Sequence, residues 1–328
     1  MILVTGGAGF IGSNLVAGLQ ESGAGPLAVC DREGAGDGGR NIAKRRLAAR
    51  IEPAALFSFL EDHRGEMRAV FHMGATSSTM ETDATLFARN NYRLSLELWR
   101  WCARHGVRFI YASSAATYGD GALGFDDDGS AQALAALRPL NLYGRSKHLF
   151  DRRVAALLAN GAPPPPQWAG LKFFNVYGPN EYHKGNQKSV IATAYPAAAA
   201  GRPVRLFKSH DSRYADGGQL RDFIWVGDCV AVMLWLLAHE EVNGLYNVGT
   251  GRARSFDDLA KALFAALERA PEIEYIDMPE AIRERYQYFT EARMARLRGA
   301  GYEQPFTSLE VGVASYVRDY LMHPDPYR

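Results

Sequence analysis

Ile2-Leu3-Val4-Thr5-Gly6-Gly7-Ala8-Gly9-Phe10-Ile11-Gly12-Ser13-Asn14 decides the fold. Its first four residues predict a strand and the run from Gly12 to Glu21 a helix, so the glycines fill the turn between them. Gly6, Gly9 and Gly12 give G-x-x-G-x-x-G, a spacing in which backbone amides can approach a pyrophosphate at the positive end of a helix. A glycine turn alone can be merely structural, and this chain has 33 glycines to spend. Asp31 adds to it: nineteen residues beyond Gly12, at the end of the next apolar run, a carboxylate can accept the ribose hydroxyls of a dinucleotide. As a helix N-cap, the same aspartate has a blander use.

Outward from this turn, short apolar runs alternate with helical stretches. Strands are expected at Ile2 to Thr5, Leu27 to Asp31, Ala69 to His72, Arg108 to Ser113 and Leu171 to Phe174. Helices are expected at Pro53 to Glu61, Ala84 to Arg104 and Ser146 to Leu158. That rhythm predicts an α/β fold with a doubly wound parallel sheet, its strands continuously apolar because helices cover both faces. Asp222 to Val226 and Gly244 to Val248 regain strand character and are expected to return to the sheet. Further helices are expected near Phe256 to Glu268, Glu280 to Arg285 and Leu309 to Leu321. The expected division is a dinucleotide-binding domain over 1–174, with return segments at about 221–250, and a smaller substrate lobe from 175–220 and 251–328.

Charge excludes some functions. The 37 basic and 36 acidic residues nearly cancel, and without a basic block or basic aromatic stripe no nucleic-acid partner is expected. No run approaches eighteen apolar residues and the first residues lead directly into a strand, so neither a membrane span nor a secretory leader is expected, and the location expected is cytoplasmic. Cys30, Cys102 and Cys229 lack metal-ligand spacing and read as core packing, with no metal expected.

Tyr143 and Lys147 form Y-x-x-x-K at the start of a predicted helix, where side chains four apart share one face and an ammonium can lower a phenol's pKa. Ser114, in Ser113-Ser114-Ala115-Ala116-Thr117-Tyr118-Gly119, follows the fourth strand at the carboxyl edge, where ligands of doubly wound sheets bind. A hydroxyl there can hold a sugar alcohol. Glycine turn, aspartate, strand-end serine and Tyr-x-x-x-Lys in that order describe a dehydrogenase-type site.

The runs T-G-G-A-G-F-I-G-S-N, Y-A-S-S-A-A-T-Y-G, N-L-Y-G-R-S-K and F-F-N-V-Y-G-P-N-E resemble the extended short-chain dehydrogenases that modify nucleotide sugars. More narrowly, Gly74 to Thr79, Asn90 to Tyr92, His183 to Gly185, Arg221 to Asp228, Asn247 to Phe256 and Arg285 to Gln287 are similar to segments of the ADP-L-glycero-D-manno-heptose 6-epimerase family. The resemblance implies a Rossmann fold and interconversion of the two C6 epimers of ADP-heptose, for the inner core of lipopolysaccharide. It also implies NADP held through turnover and a homo-oligomer, a pentamer in that family. The rival readings are another nucleotide-sugar epimerase or dehydratase, such as a UDP-glucose 4-epimerase, and a dinucleotide-sensing regulator without chemistry.

The resemblance places cofactor contacts on Phe10, Ile11, Asp31, Gly74, Ala75, Thr76, Ser77, Asn90, Lys147 and Val176. It places sugar-nucleotide contacts on Ser114, Asn175, Asn186, Phe207, Arg221 and Tyr286. Arg221 has a rationale of its own, since a guanidinium pairs with a diphosphate bidentately. In Asp37-Gly38-Gly39-Arg40-Asn41 this sequence carries glycines where the family generally has a lysine. Arg32, with Arg40 or Lys44, can still neutralise a 2′-phosphate, so NADP is expected ahead of NAD. Lys184 is the expected second acid/base group, at the junction of the lobes where partial burial lowers an ammonium's pKa; the competing role is a phosphate anchor. Ser209 to Gly218 is longer than the family leads one to expect, which leaves the register of the loop around 205–221 open.

Overall fold

The computed structural model describes residues 1–32, 38–283 and 286–328. Asp37 and Arg285 of the quoted segments lie outside the described residues. Strands β1 (Ile2–Thr5), β2 (Leu27–Cys30), β3 (Ala49–Ile51), β4 (Ala69–His72), β5 (Arg108–Ser114) and β6 (Trp168–Phe173) are followed by β7 (Asn175–Tyr177), β8 (Val204–Phe207), β9 (Leu220–Trp225), β10 (Gly244–Val248), β11 (Ala253–Ser255) and β12 (Ile273–Ile276). Seven of them form one parallel sheet in the order β10-β6-β5-β4-β1-β2-β3. From β1 the chain winds first towards β3, then returns to β4 and winds the other way. The order therefore reverses between β1 and β4, which opens a crevice at the strands' carboxyl ends.

Every residue of β1, β2 and β4 is buried, as their unbroken apolar runs require. On one face Leu15 and Val16 of the helix Phe10–Glu21 share a core with Val230 and Met233 of the helix Val226–Ala238. On the other, Leu98 and Trp99 of Leu94–His105 pack with Phe109 of β5 and Phe150 of Leu142–Ala159. A third core, with Leu206, Phe223, Leu263 and Val313, belongs to the C-terminal half. Cys30, Cys102 and Cys229 are buried free thiols. Among the described residues no helix is long and apolar enough to cross a membrane.

Gly244–Val248 returns to the large sheet as its edge strand beside β6. Leu220–Trp225 does not: it pairs in parallel with β7 and antiparallel with β11 in a separate three-stranded sheet. Its neighbouring residues feed different cores, Phe223 the third and Ile224 the first. A strand on such a boundary is apolar on both faces, so its composition cannot say which sheet it joins. The small, half-polar β3 and the pair β8 and β12 carried too little apolar signal to be foreseen.

Candidate active site

The glycine turn is built by close approach. Gly6 has φ +66, and a Cβ there would stand 2.5 Å from the Gly74 backbone; at Gly12 one would stand 2.1 Å from the Gly6 carbonyl oxygen. The Gly9 amide donates to the Gly6 oxygen at 3.0 Å, and no side chain caps the first turn of the helix that begins at Phe10. Its amides remain directed at the crevice, with Ile11 half-buried among them. Asp31 stands at the same turn: its Oδ2 accepts from the Ala8 amide and its Oδ1 from the Arg32 amide, both at 2.9 Å. Arg32 itself is exposed.

Beside it, the segment after β4 is held from below. The Gly74 amide donates to Thr5 Oγ1 at 3.3 Å and the Thr76 amide to Asn91 Oδ1 at 2.8 Å. Ala75 and Ser77 between and after them are exposed. Asn90 donates to Thr76 Oγ1 at 3.0 Å, while Asn91, wholly buried, donates to the Thr76 carbonyl and to Ser146 Oγ, each at 2.9 Å. Both asparagines lie on a π-helical turn, Ala88–Arg93, inside the long helix, a widening common at functional sites. Sequence reasoning named Asn90 and passed over Asn91. It also passed over His72, whose ring is held between Thr5 Oγ1 at 2.7 Å and Ser95 Oγ at 2.9 Å, and whose pKa burial and then Lys147 press down to about 3.

Ser114 ends β5 and Tyr143 opens the helix Leu142–Ala159, whose first turn is capped by Asn141. Ser114 lies near enough to the half-buried Tyr143 phenol to bear on its titration, and its own hydroxyl oxygen accepts from the Ala116 amide at 3.1 Å. Burial pushes that phenol above its ordinary pKa, against the lowering expected from a neighbouring ammonium, and Ser114 works in the opposite sense to burial. Lys147 is 3% exposed and donates to the Ala112 carbonyl at 2.7 Å. Burial lowers its ammonium to about 8, with Asp151 opposing. Tyr143 and Lys147 thus lie four residues apart on one helix, with Lys147 anchored to the strand that carries Ser114.

On the other side of the crevice Arg221 of β9 is 8% exposed, and burial lowers its pKa. Its guanidinium lies 5.2 Å from the Tyr286 ring and 5.7 Å from the Phe256 ring, and the Tyr286 ring meets Phe207 edge-on at 6.4 Å. Arg221, Tyr286 and Phe207 are therefore brought together. Asn175 begins β7, with Thr290 Oγ1 3.5 Å from its Oδ1, and Val176 packs half-buried against the first core. The loop between β8 and β9 folds back on itself, Ser209 donating to Asp216 at 2.7 Å and Gly217 to Phe207 at 3.0 Å.

Lys184 lies on the turn Tyr182–Gln187, its ammonium 5.1 Å from the centre of the Phe10 ring. Burial lowers its pKa and Glu181 raises it. Asn186, two residues on, is exposed. The turn is tied to the helix Phe10–Glu21 by residues the sequence did not reveal: Asn14 donates to the Pro179 carbonyl at 2.9 Å and Asn180 to Ser13 Oγ at 3.0 Å. Of the cations expected near a 2′-phosphate, Lys44 is engaged by Asp325 at 2.8 Å and Arg40 lies 4.5 Å over the Tyr327 ring.

Residues 2–249 match the model of the NAD dependent epimerase/dehydratase family. The chain is 50% identical, over the whole of both chains, to the ADP-L-glycero-D-manno-heptose-6-epimerase of Nitratidesulfovibrio vulgaris (strain DP4). Its structure is similar to that of the Helicobacter pylori ADP-L-glycero-D-manno-heptose-6-epimerase, with TM-score 0.79 and 28% identity over 97% of this chain and 95% of that one. It is also similar to the Thermus thermophilus UDP-glucose 4-epimerase in complex with NAD, with TM-score 0.72 and 26% identity over 96% and 97%.

Proposed function

This chain belongs to the NAD dependent epimerase/dehydratase family and, within it, to the ADP-L-glycero-D-manno-heptose-6-epimerases, and we propose that it interconverts ADP-D-glycero-β-D-manno-heptose and ADP-L-glycero-β-D-manno-heptose. The observation that carries the reading is the meeting of Ser114, at the carboxyl end of β5, with the helix of Tyr143 and Lys147, whose ammonium is bonded to the Ala112 carbonyl of that same strand, in the sheet whose first turn is the glycine turn. The turn fits a dinucleotide's pyrophosphate, because Gly6 and Gly12 let the turn fold tightly against the Gly74 backbone and onto itself while the N-terminus of the helix Phe10–Glu21 carries no side-chain cap. What the bound nicotinamide supplies is a reversible hydride acceptor for C6 of the heptose, so no external reductant is consumed.

The chain's own residues do the rest. Ser114 orients the C6 oxygen, and Tyr143 takes its proton as the carbonyl forms and returns it when the carbonyl is reduced. Tyr143 therefore takes that proton as the phenolate, becomes the phenol, and is the phenolate again once the proton is given back; the Lys147 ammonium supplies the positive charge that favours the phenolate form. Lys184 is the second acid/base group, so that proton transfer is available on both faces of the carbonyl. Its place by Phe10 and its depressed pKa support this. Arg221 pairs with the diphosphate, and Tyr286 and Phe207 offer ring faces to the nucleotide. Residues 175–220 and 251–328 serve as the substrate lobe, and the protein works as a homo-oligomer.

The dinucleotide is NADP, with Arg32 beside Asp31 as the first cation for its 2′-phosphate. Lys44 contributes less, being committed to Asp325. Chromatography of the dinucleotide released on denaturation tests this, and pure NAD overturns it. Purified protein, with no dinucleotide added, should convert ADP-D-glycero-β-D-manno-heptose to a mixture of both epimers. No conversion would overturn the function.

A further inference from the structure

Behind Tyr143 and Lys147 the same helix carries a charge that the proposed reaction leaves unused. Asp151, one helical turn beyond Lys147, is 1% exposed. Its Oδ1 accepts from the Tyr111 hydroxyl at 3.0 Å, and its Oδ2 from the Ser113 hydroxyl at 2.7 Å and the Lys172 ammonium at 3.0 Å. Tyr111 and Ser113 alternate along β5 and so face the same side, and Lys172 on β6 is in register with Ser113. Lys172, wholly buried, also donates to Thr117 Oγ1 at 2.7 Å and lies 4.9 Å over the Tyr118 ring. Three donors from two strands thus converge on one carboxylate of the helix.

A buried ion pair is a poor source of stability, since desolvation offsets its attraction and apolar residues often do as well. Apolar contact already holds this helix, with Phe150 meeting Tyr111 edge-on at 4.8 Å. What apolar contact lacks is direction. Ser113 immediately precedes Ser114, so a bond from Ser113 to the helix fixes the distance across which Ser114 meets Tyr143.

We infer that Asp151 is a positioning residue, whose carboxylate latches the helix carrying Tyr143 and Lys147 to the strand carrying Ser114. Its charge also acts on both groups in one sense, favouring their protonated forms. The titratable groups around it are Tyr111 on β5, Lys172 on β6, Tyr118 after β5, and Tyr143, Lys147 and His148 on its own helix. His72 on β4 faces Lys147 from beyond.

The inference rests on Tyr143 and Lys147 being the acid/base pair, and the test separates the two. In the full-length protein, Asp151→Asn should lower kcat at least about tenfold with KM for ADP-heptose within about threefold, the split expected when geometry rather than binding is lost. Removing the anion also lowers both pKa values, so the whole pH profile of kcat should move to lower pH. Tyr111→Phe with Ser113→Ala keeps the ion pair, so it folds even where Asp151→Asn leaves Lys172 stranded. There the less screened carboxylate should move the profile to higher pH while kcat falls. Unchanged kcat, or a fall in kcat with an unmoved profile in both variants, overturns the inference. If wild-type protein lacks epimerase activity, the function fails instead. Competitive acetylation of Lys147 across pH, read by mass spectrometry, then still tests the direction of its shift in each variant.

Discussion

Tyr143 rides on an 18-residue helix latched to the sheet by Asp151 and Lys147, whereas Lys184 sits on a six-residue turn interrupted at Gly185, where φ is 54. Around the first, buried hydroxyls and ammonium groups fix direction. Around the second, the ammonium meets an aromatic face, a broad and weakly directional contact. Both groups are shifted by burial, but in chemically opposite ways: the phenol is pushed towards keeping its proton and the ammonium towards losing it. A group that must meet a reacting atom in one geometry is bolted to regular structure. The ammonium of Lys184 is held instead on a short turn, by a ring face rather than by a directed bond.

The largest effect expected is from Tyr143→Phe, which removes the proton-transfer group itself and should lower kcat by about 10³-fold or more while the dinucleotide stays bound. Retention of most activity would erase the contrast between the two groups. Lys184→Met sharpens it: loss of a base should lower kcat on the order of 10²-fold at saturating ADP-heptose with KM little changed, whereas loss of a phosphate anchor should mainly raise KM. A near-normal kcat makes Tyr143 act alone on a rotating intermediate. Smaller again is Arg221→Met, which should raise KM by about tenfold with kcat nearly intact, because its pairing with a diphosphate is the same in ground and transition states. A fall in kcat at constant KM would move Arg221 into the chemistry.

The smallest effect is one of stability. Lys147 has its ordinary value of 10.5 in the unfolded chain and about 8 when folded, so between those pH values the unfolded chain holds the extra proton and folding gains as pH rises. Relative to Lys147→Met, wild type should gain no more than about 3 kcal/mol from pH 8 to pH 10.5, measured by denaturant unfolding. Activity should fall over the same range as the ammonium is lost. A parallel rise of both quantities would contradict the role given to Lys147.

What the sequence made legible was local. Strand, glycine turn, helix, aspartate and Tyr-x-x-x-Lys are all fixed by spacings within a few tens of residues, and each lands where its spacing put it. Arg221, Phe207 and Tyr286 could be gathered only by resemblance, since they come from distant parts of the chain. The polar ties remained illegible: Asn14 to Pro179 and Asn91 to Ser146 join residues whose partners lie far along the chain, and Asp151 to Lys172 joins residues of common types with no motif between them. Asp222 is a further case. Its carboxylate accepts from Thr250, Gly251 and Ala292 amides at 2.7 to 2.9 Å and so closes the second sheet, yet in sequence it is one aspartate in an apolar run.

The central claim is that hydride leaves C6 of the heptose and returns to the same carbon within one site. ADP-heptose carrying deuterium at C6, incubated with the purified protein in ordinary water, tests it most directly. The product epimer, read by proton NMR, should keep its deuterium at C6 with no dinucleotide or reductant added. Deuterium lost to solvent, or turnover that requires an added reductant, would contradict the account.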